Sequence, residues 1–193
     1  MYHRRGFSVQ NAVEMVERRE RALAYVFLAV PARRWQDVIE LARRHDNVLE
    51  ASVVYGESED VILKLFAPDD GDIYGVLGDA LRAAAIAGQP TILRVGERSF
   101  VRQVGVGKGG AVQAYVLIKA SAKQVEIVLE ALRGIDGVAE ASTVYGETDV
   151  ICRLVVPDQA ALDRLVMREI HAIDAVESTR TFIVVGDMSW RRD

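Results

Sequence analysis

The sequence predicts an α+β fold made of two tandem ferredoxin-like (βαββαβ) domains, with antiparallel sheets packed face to face and helices outside. Three observations predict it: an internal repeat, the same order of strand and helix signals in both copies, and strands too apolar to leave a sheet face in water.

The repeat appears when the chain is laid on itself with a shift of 90. Tyr25 then falls on Tyr115, and Glu-Ala-Ser-Val-Val-Tyr-Gly-Glu at 50–57 falls on Glu-Ala-Ser-Thr-Val-Tyr-Gly-Glu at 140–147, one difference in eight. One extra residue in the first copy (Ser58-Glu59-Asp60 against Thr148-Asp149) reduces the shift to 89. Val-Ile-Leu-Lys-Leu at 61–65 then lies on Val-Ile-Cys-Arg-Leu at 150–154, and Pro68-Asp69 on Pro157-Asp158. The expected organisation is a helical extension at 1–21, a first domain at 22–104, a Gly-rich linker at 105–110, a second domain at 111–187 and a tail at 188–193.

In the second copy an apolar run at 114–120 precedes Ser121 and Gln124, which have the spacing of a capping box. Val125, Val128, Leu129 and Leu132 follow at helical spacing, with Gly134 expected as a left-handed stop. The β-rich runs 138–145 and 150–156 flank a short loop and read as a hairpin. Asp158 can cap a second helix with an apolar stripe at Leu162, Leu165, Val166, Ile170 and Ile173, and 179–185 closes the unit. The first copy repeats this order: strand 24–30, helix 33–44, strands 48–55 and 60–66, helix 72–87 stopped by Gly88, and strand 91–95. A further strand is expected at 99–104.

Such a unit leaves one sheet face uncovered. A face in water calls for alternating polar and apolar residues, yet 24–30 is apolar throughout and 114–120 is polar at Lys119 alone. The free face is therefore buried, and either the second copy or a second chain can cover it.

Composition bounds the function. Half of the 193 residues are hydrophobic and only 4 are Pro, so the chain can bury a sizeable core. No apolar run reaches the ~18 to 20 residues of a membrane span, and the start lacks a secretory signal, so a cytoplasmic protein without membrane contact is expected. The net charge of −4 argues against a nucleic-acid surface. Cys152 is the single cysteine, and His3, His45 and His171 share no ligand spacing, so no metal or other cofactor is expected. Gly105-Val-Gly-Lys-Gly-Gly110 has the glycines of a phosphate loop, but a strand rather than a helix follows it, and it reads as a connector.

The element order, together with residues 144–154, the Pro157-Asp158 helix start and Ser-Thr-Arg-Thr-Phe-Ile-Val-Val at 178–185, resembles the effector-binding (RAM) domain of the Lrp/AsnC transcription regulators, present here twice. The second copy carries that family's Gly-x-x-Asp at Gly146 and Asp149, whereas Gly56 and Asp60 stand one residue further apart. The resemblance implies oligomers that bind amino acids or related metabolites around this loop. The family's regulators carry a helix-turn-helix head, which with its linker needs about 50 to 60 residues; 23 precede the first strand here, so a stand-alone effector module without direct DNA binding is expected.

The candidate ligand-binding residues are Tyr145, Gly146, Glu147, Thr148 and Asp149, with Tyr55, Gly56 and Asp60 in the first copy. Turn chemistry accounts for the aspartates as well as a ligand does, and packing accounts for the tyrosines. Lys64 and Arg153, at equivalent strand positions, fit either pairing with carboxylates at an interface or exposure at a strand edge. No catalytic residue is assigned. The expected function is a non-enzymatic small-molecule sensor acting through ligand-linked oligomerisation, as a homo-oligomer or with a partner regulator. The alternative is an enzyme using a cleft between the paired domains, such as a tetrapyrrole decarboxylase-like relative.

Overall fold

Strand edges, not sheet faces, join the two halves. The computed structural model describes residues 22–69, 71–83, 89–102, 104 and 111–192. In the first half these form β1 (Ala22–Leu28), α1 (Trp35–Arg44), β2 (Val48–Tyr55), β3 (Val61–Ala67), α2 (Asp72–Ala83) and β4 (Thr91–Val101). In the second half they form β5 (Val112–Ala120), α3 (Val125–Gly134), β6 (Val138–Tyr145), β7 (Val150–Val156), α4 (Gln159–Arg164) and β8 (Val176–Arg191). The expected extension at 1–21, the linker at 105–110 and the Gly88 stop lie outside the described residues. Among the described residues no helix is long and apolar enough to cross a membrane.

The expectation of two tandem ferredoxin-like domains packed face to face is overturned: all eight strands close into one antiparallel barrel in the order β1-β3-β2-β8-β5-β7-β6-β4. The closing seams are β2 with β8 and β4 with β6. Both buried sheet faces thus become the wall of one lumen. Stacking the sheets would have buried the same apolar faces but left four edge strands with unpaired N–H and C=O groups, which closure pairs. The seams form because the last strand of each half overruns. β4 merges the two runs expected at 91–95 and 99–104, with a register shift between Val95 and Ser99, and β8 continues through the expected tail to Arg191.

Two smaller expectations also fail. Residues 122–124 form a turn, Gln124 N–H donates to the Ser121 carbonyl (2.8 Å), and α3 starts at Val125 without a side-chain cap. The positive φ falls on Gly137 (+91°) rather than Gly134, and a Cβ on Gly137 would in addition crowd Leu165 and Val156. Asp158 does cap α4, accepting from Ala161 N–H at 2.7 Å.

Strand alternation sorts the core into three parts. Ala24, Val26 and Leu28 of β1 face α1 and α2, where Val38, Ile39, Ile73 and Leu77 cover them. Val116, Ile118, Cys152 and Leu154 face α3 and α4 in the same way. Burial pushes the Cys152 thiol up to about 12, which removes it as a nucleophile at neutral pH. Each helix-side core is completed by the other half: Phe100 of β4 packs on the second, and Met188 and Trp190 of β8 pack on the first.

The alternate residues fill the lumen. Phe27, Ile62, Leu93, Leu117, Ile151 and Phe182 make its apolar part, with Phe27 and Phe182 at 5.2 Å between ring centroids. Eight strands leave just room for such a filling. The rest is polar. Tyr25 donates to Glu140 (3.0 Å) and Tyr115 donates to Glu50, so each tyrosine reaches the carboxylate of the other half. Lys64 pairs with Glu140, and Arg191 donates to Glu50 at 2.5 Å. Lys64 and Arg153 are therefore lumen residues, each 9% exposed, and neither lies at an open strand edge.

Burial alone would raise the Glu140 carboxyl, but Lys64 beside it, then Arg153 and the Tyr25 hydroxyl, hold it below the ordinary carboxylate range. Burial first, then the neighbouring carboxylates, push both tyrosine hydroxyls well above their usual value, so both stay protonated donors.

A group whose folded value is depressed stabilises fully above its unfolded value of about 4.3, and that contribution fades as pH falls through the lower folded value. Glu140→Gln should therefore cost about 3 to 5 kcal/mol in urea denaturation at pH 7, since it strips a buried cation of its partner. The gap from wild type should narrow as pH drops below about 4.3; a gap that stays constant from pH 7 to pH 3 would contradict this role.

Candidate functional site

The repeated loops between β2 and β3 and between β6 and β7 meet at one end of the barrel. Arg180, on β8, ties them together: its Nη2 lies 3.4 Å from Glu59 Oε1 and 3.2 Å from Glu147 Oε1. Its guanidinium also sits 5.2 Å from the Phe182 ring centroid, and its Nε is buried with no acceptor among the described residues.

Each loop leaves its strand through a glycine forced by close approach. A Cβ on Gly56 would lie 2.5 Å from the Phe182 ring, and one on Gly146 would lie 2.7 Å from Leu93. Each loop ends in an aspartate with the same bonds. Asp60 Oδ2 accepts from Val30 N–H (2.9 Å) and Asp149 Oδ2 from Ala120 N–H (3.0 Å). The backbone N–H of Asp60 donates to Leu28 O and that of Asp149 to Ile118 O. The extra residue of the first loop is absorbed between Glu57 and Glu59, and the aspartate keeps its place. Tyr55 and Tyr145 project from the same end, 63% and 60% exposed, and are not packed.

The loops differ in charge. Beside the second lies a recess of about 260 Å³ lined by Lys119, Glu147, Thr148, Ser178, Thr179 and Arg180 over Leu117. Lys119 Nζ is 3.1 Å from Asp149 Oδ2, Thr148 donates to the Ile118 carbonyl (2.8 Å), and Thr179 Oγ1 is 2.8 Å from His171 Nε2. At the positions of Lys119 (119 − 90 = 29) and Arg180 (180 − 89 = 91) the first copy has Ala29 and Thr91. Of the two loops, the second alone combines two cations with carboxylates and hydroxyls.

Sequence reasoning named the loop residues but missed Lys119, Ser178, Thr179 and Arg180. Lys119 did carry a signal, as the one polar residue in an apolar strand. A larger recess of about 480 Å³ lies on the helix side of the second half, between Arg102, Gly137, Val155, Pro157, Arg164 and Leu165. It includes no residue of the two repeated loops. Its Arg102 is committed to the carbonyls of Val138, Arg133 and Ile135, and its other charged lining residues are Asp136, Arg164 and Glu169. Among the described residues no cluster of three or more His, Cys, Asp or Glu could hold a metal ion.

Every residue of the loop-end recess falls inside the stretch that matches a known family. Residues 113–190 match the Lrp/AsnC ligand binding domain. The match covers the second half of the barrel and leaves the first half outside it. No curated protein matches the chain. The whole barrel is similar to the siroheme decarboxylase NirDL at 9% identity and a TM-score of 0.68, covering 95% of this chain and 82% of that one. It is also similar to a proposed monooxygenase from Lactobacillus acidophilus NCFM at 11% identity and a TM-score of 0.59, covering 89% and 96%. At these identities the likeness is one of fold.

Because Asp60 and Asp149 hold their loops by the same two bonds, Asp60→Asn and Asp149→Asn should destabilise the ligand-free protein similarly, by about 1 to 2 kcal/mol each. Thermal melts of the two variants check this. A large loss for Asp149→Asn beside a silent Asp60→Asn would break the equivalence.

Proposed function

We propose that the chain is a small-molecule sensor whose second-half recess takes an amino acid or a similar zwitterion. The observation that carries this is the meeting of Lys119, Arg180, Glu147 and three hydroxyls in one recess of the matched Lrp/AsnC segment. Lys119 and Arg180 suit an α-carboxylate, and Glu147 suits an α-ammonium. Asp149 acts as a positioning residue: it fixes the loop to Ala120 and holds Lys119 in place. Tyr145 and Gly146 shape the loop entrance. In the first copy, Tyr55, Gly56 and Asp60 keep the same scaffold without the cations, and that loop serves as a brace for Arg180 through Glu59.

The output is linkage: a ligand stabilises whichever assembly it binds better, by no more than its differential affinity. Arg180 bridges both loops, so a ligand that draws it from Glu59 or Glu147 loosens one loop from the other beside the exposed tyrosines. We propose that this end meets a second chain or a partner regulator, without direct contact to DNA. A first half that acts as a second Lrp/AsnC copy is part of the same reading. The enzymatic alternative is supported by fold likeness alone, to the siroheme decarboxylase and the proposed monooxygenase.

Calorimetric titration with the standard amino acids tests the reading. At least one should bind, and Arg180→Ala or Lys119→Met should weaken it about ten- to a hundredfold, the equivalent of one charge-assisted hydrogen bond of about 1.5 to 3 kcal/mol. Light scattering with and without that amino acid should show a shift in association. If no amino acid binds, or Arg180→Ala binds like wild type, the reading fails.

A further inference from the structure

We propose that the polar end of the barrel lumen binds a carboxylate through Arg153 and Arg191, at a site distinct from the loop-end recess. The polar lumen is pseudo-symmetric. Tyr25, Lys64 and Glu50 are register neighbours on β1, β3 and β2, and Tyr115, Arg153 and Glu140 are the equivalent neighbours on β5, β7 and β6. The tyrosines cross over faithfully, Tyr25 to Glu140 and Tyr115 to Glu50. Lys64 of the first half also crosses to Glu140. Symmetry would send Arg153 to Glu50.

It does not go there. Glu50 Oε1 accepts from Tyr115, and its Oε2 accepts from Arg191, which stands opposite Glu50 in the β2–β8 seam. The corresponding residue opposite Glu140 in the β4–β6 seam is Val101. One arginine more on one seam leaves three cations (Lys64, Arg153, Arg191) with two carboxylates (Glu50, Glu140) in the cluster. The protonated tyrosines add no negative charge.

The surplus falls on Arg153. Its Nε is buried with no hydrogen-bond acceptor among the described residues, and its one ion pair is long, 3.9 Å to Glu140 Oε2. Arg153 is only 9% exposed, whereas the Arg191 side chain is 44% exposed and marks where the cluster meets solvent. A guanidinium offers five donors in a planar fork and is costly to bury without acceptors. A carboxylate presents two oxygens in one plane to such a fork and supplies the missing charge. A small acid, or the carboxyl end of a longer one, would enter past Arg191, the exposed edge of the cluster.

The test uses acetate, titrated against thermal stability of the whole chain at constant ionic strength with sodium chloride replaced by sodium acetate. Wild type should gain stability saturably, as expected for a ligand of the folded state. Arg153→Gln should weaken the apparent acetate affinity at least tenfold. Arg153→Lys, which keeps the charge and loses the fork, should fall between them, and Arg164→Gln on exposed α4 should match wild type. In the acetate-free buffer Arg153→Gln should lose clearly less stability than Glu140→Gln, since Glu140 keeps Lys64 and Tyr25 and the Arg153 Nε has no acceptor among the described residues; a purely structural pair with Glu140 predicts comparable losses instead. Longer acids such as hexanoate, run in parallel, tell a free small acid from a carboxyl terminus with a tail. A gain in wild type that never saturates, or one that is equal in Arg153→Gln, overturns the proposal.

Discussion

Closure of the barrel through the β2–β8 and β4–β6 seams is the constraint on which the other features rest. It pairs the edges each half would otherwise expose, and it seals Tyr25, Tyr115 and the lumen glutamates away from water. There a hydrogen bond to a charged group is worth about 1.5 to 3 kcal/mol, and an unpaired charge is heavily penalised. Since each tyrosine reaches the glutamate of the other half, the halves cannot separate without stranding both carboxylates. The antiparallel seams also bring both repeated loops to one end, where Arg180 can touch them together.

Fusing the repeats in one chain lets the two halves differ where identical subunits could not. The backbone scaffold stays equivalent: glycines at 56 and 146 clear Phe182 and Leu93, and aspartates at 60 and 149 fix the loops by matching bonds. The differences are charges. Lys119 faces Ala29 across the repeat, Arg180 faces Thr91, and Arg191 takes the place that Val101 has in the other seam. Each of these places an additional cation in the second half, beside a loop-end recess in the first two cases and inside the lumen in the third. The framework is thus symmetric and the charge is not.

Much of this was legible in the chain. The repeat, the order of strands and helices and the burial of both strand faces follow from local patterns, because a run such as 24–30 has no polar face to offer water. The loop residues were legible too, since Gly56 and Gly146 with the following carboxylates recur at equivalent positions. Glu50 and Glu140 also recur, at the head of the best-conserved stretch between the copies, but a glutamate at a strand start reads as solvated until its partners are known.

Those partners lie far along the chain. Tyr25 and Glu140 are 115 residues apart, and Arg191 and Glu50 are 141 apart, so no local period links them. Sandwich and barrel bury the same strand faces and place the same residues inward, so hydrophobic pattern does not choose between them. The choice was made by the overrun of β4 and β8 and the edge hydrogen bonds they gain. Local chemistry fixes what each strand must bury; which edge it pairs with, and thus which charges share the lumen, depends on contacts that exist once the chain has closed.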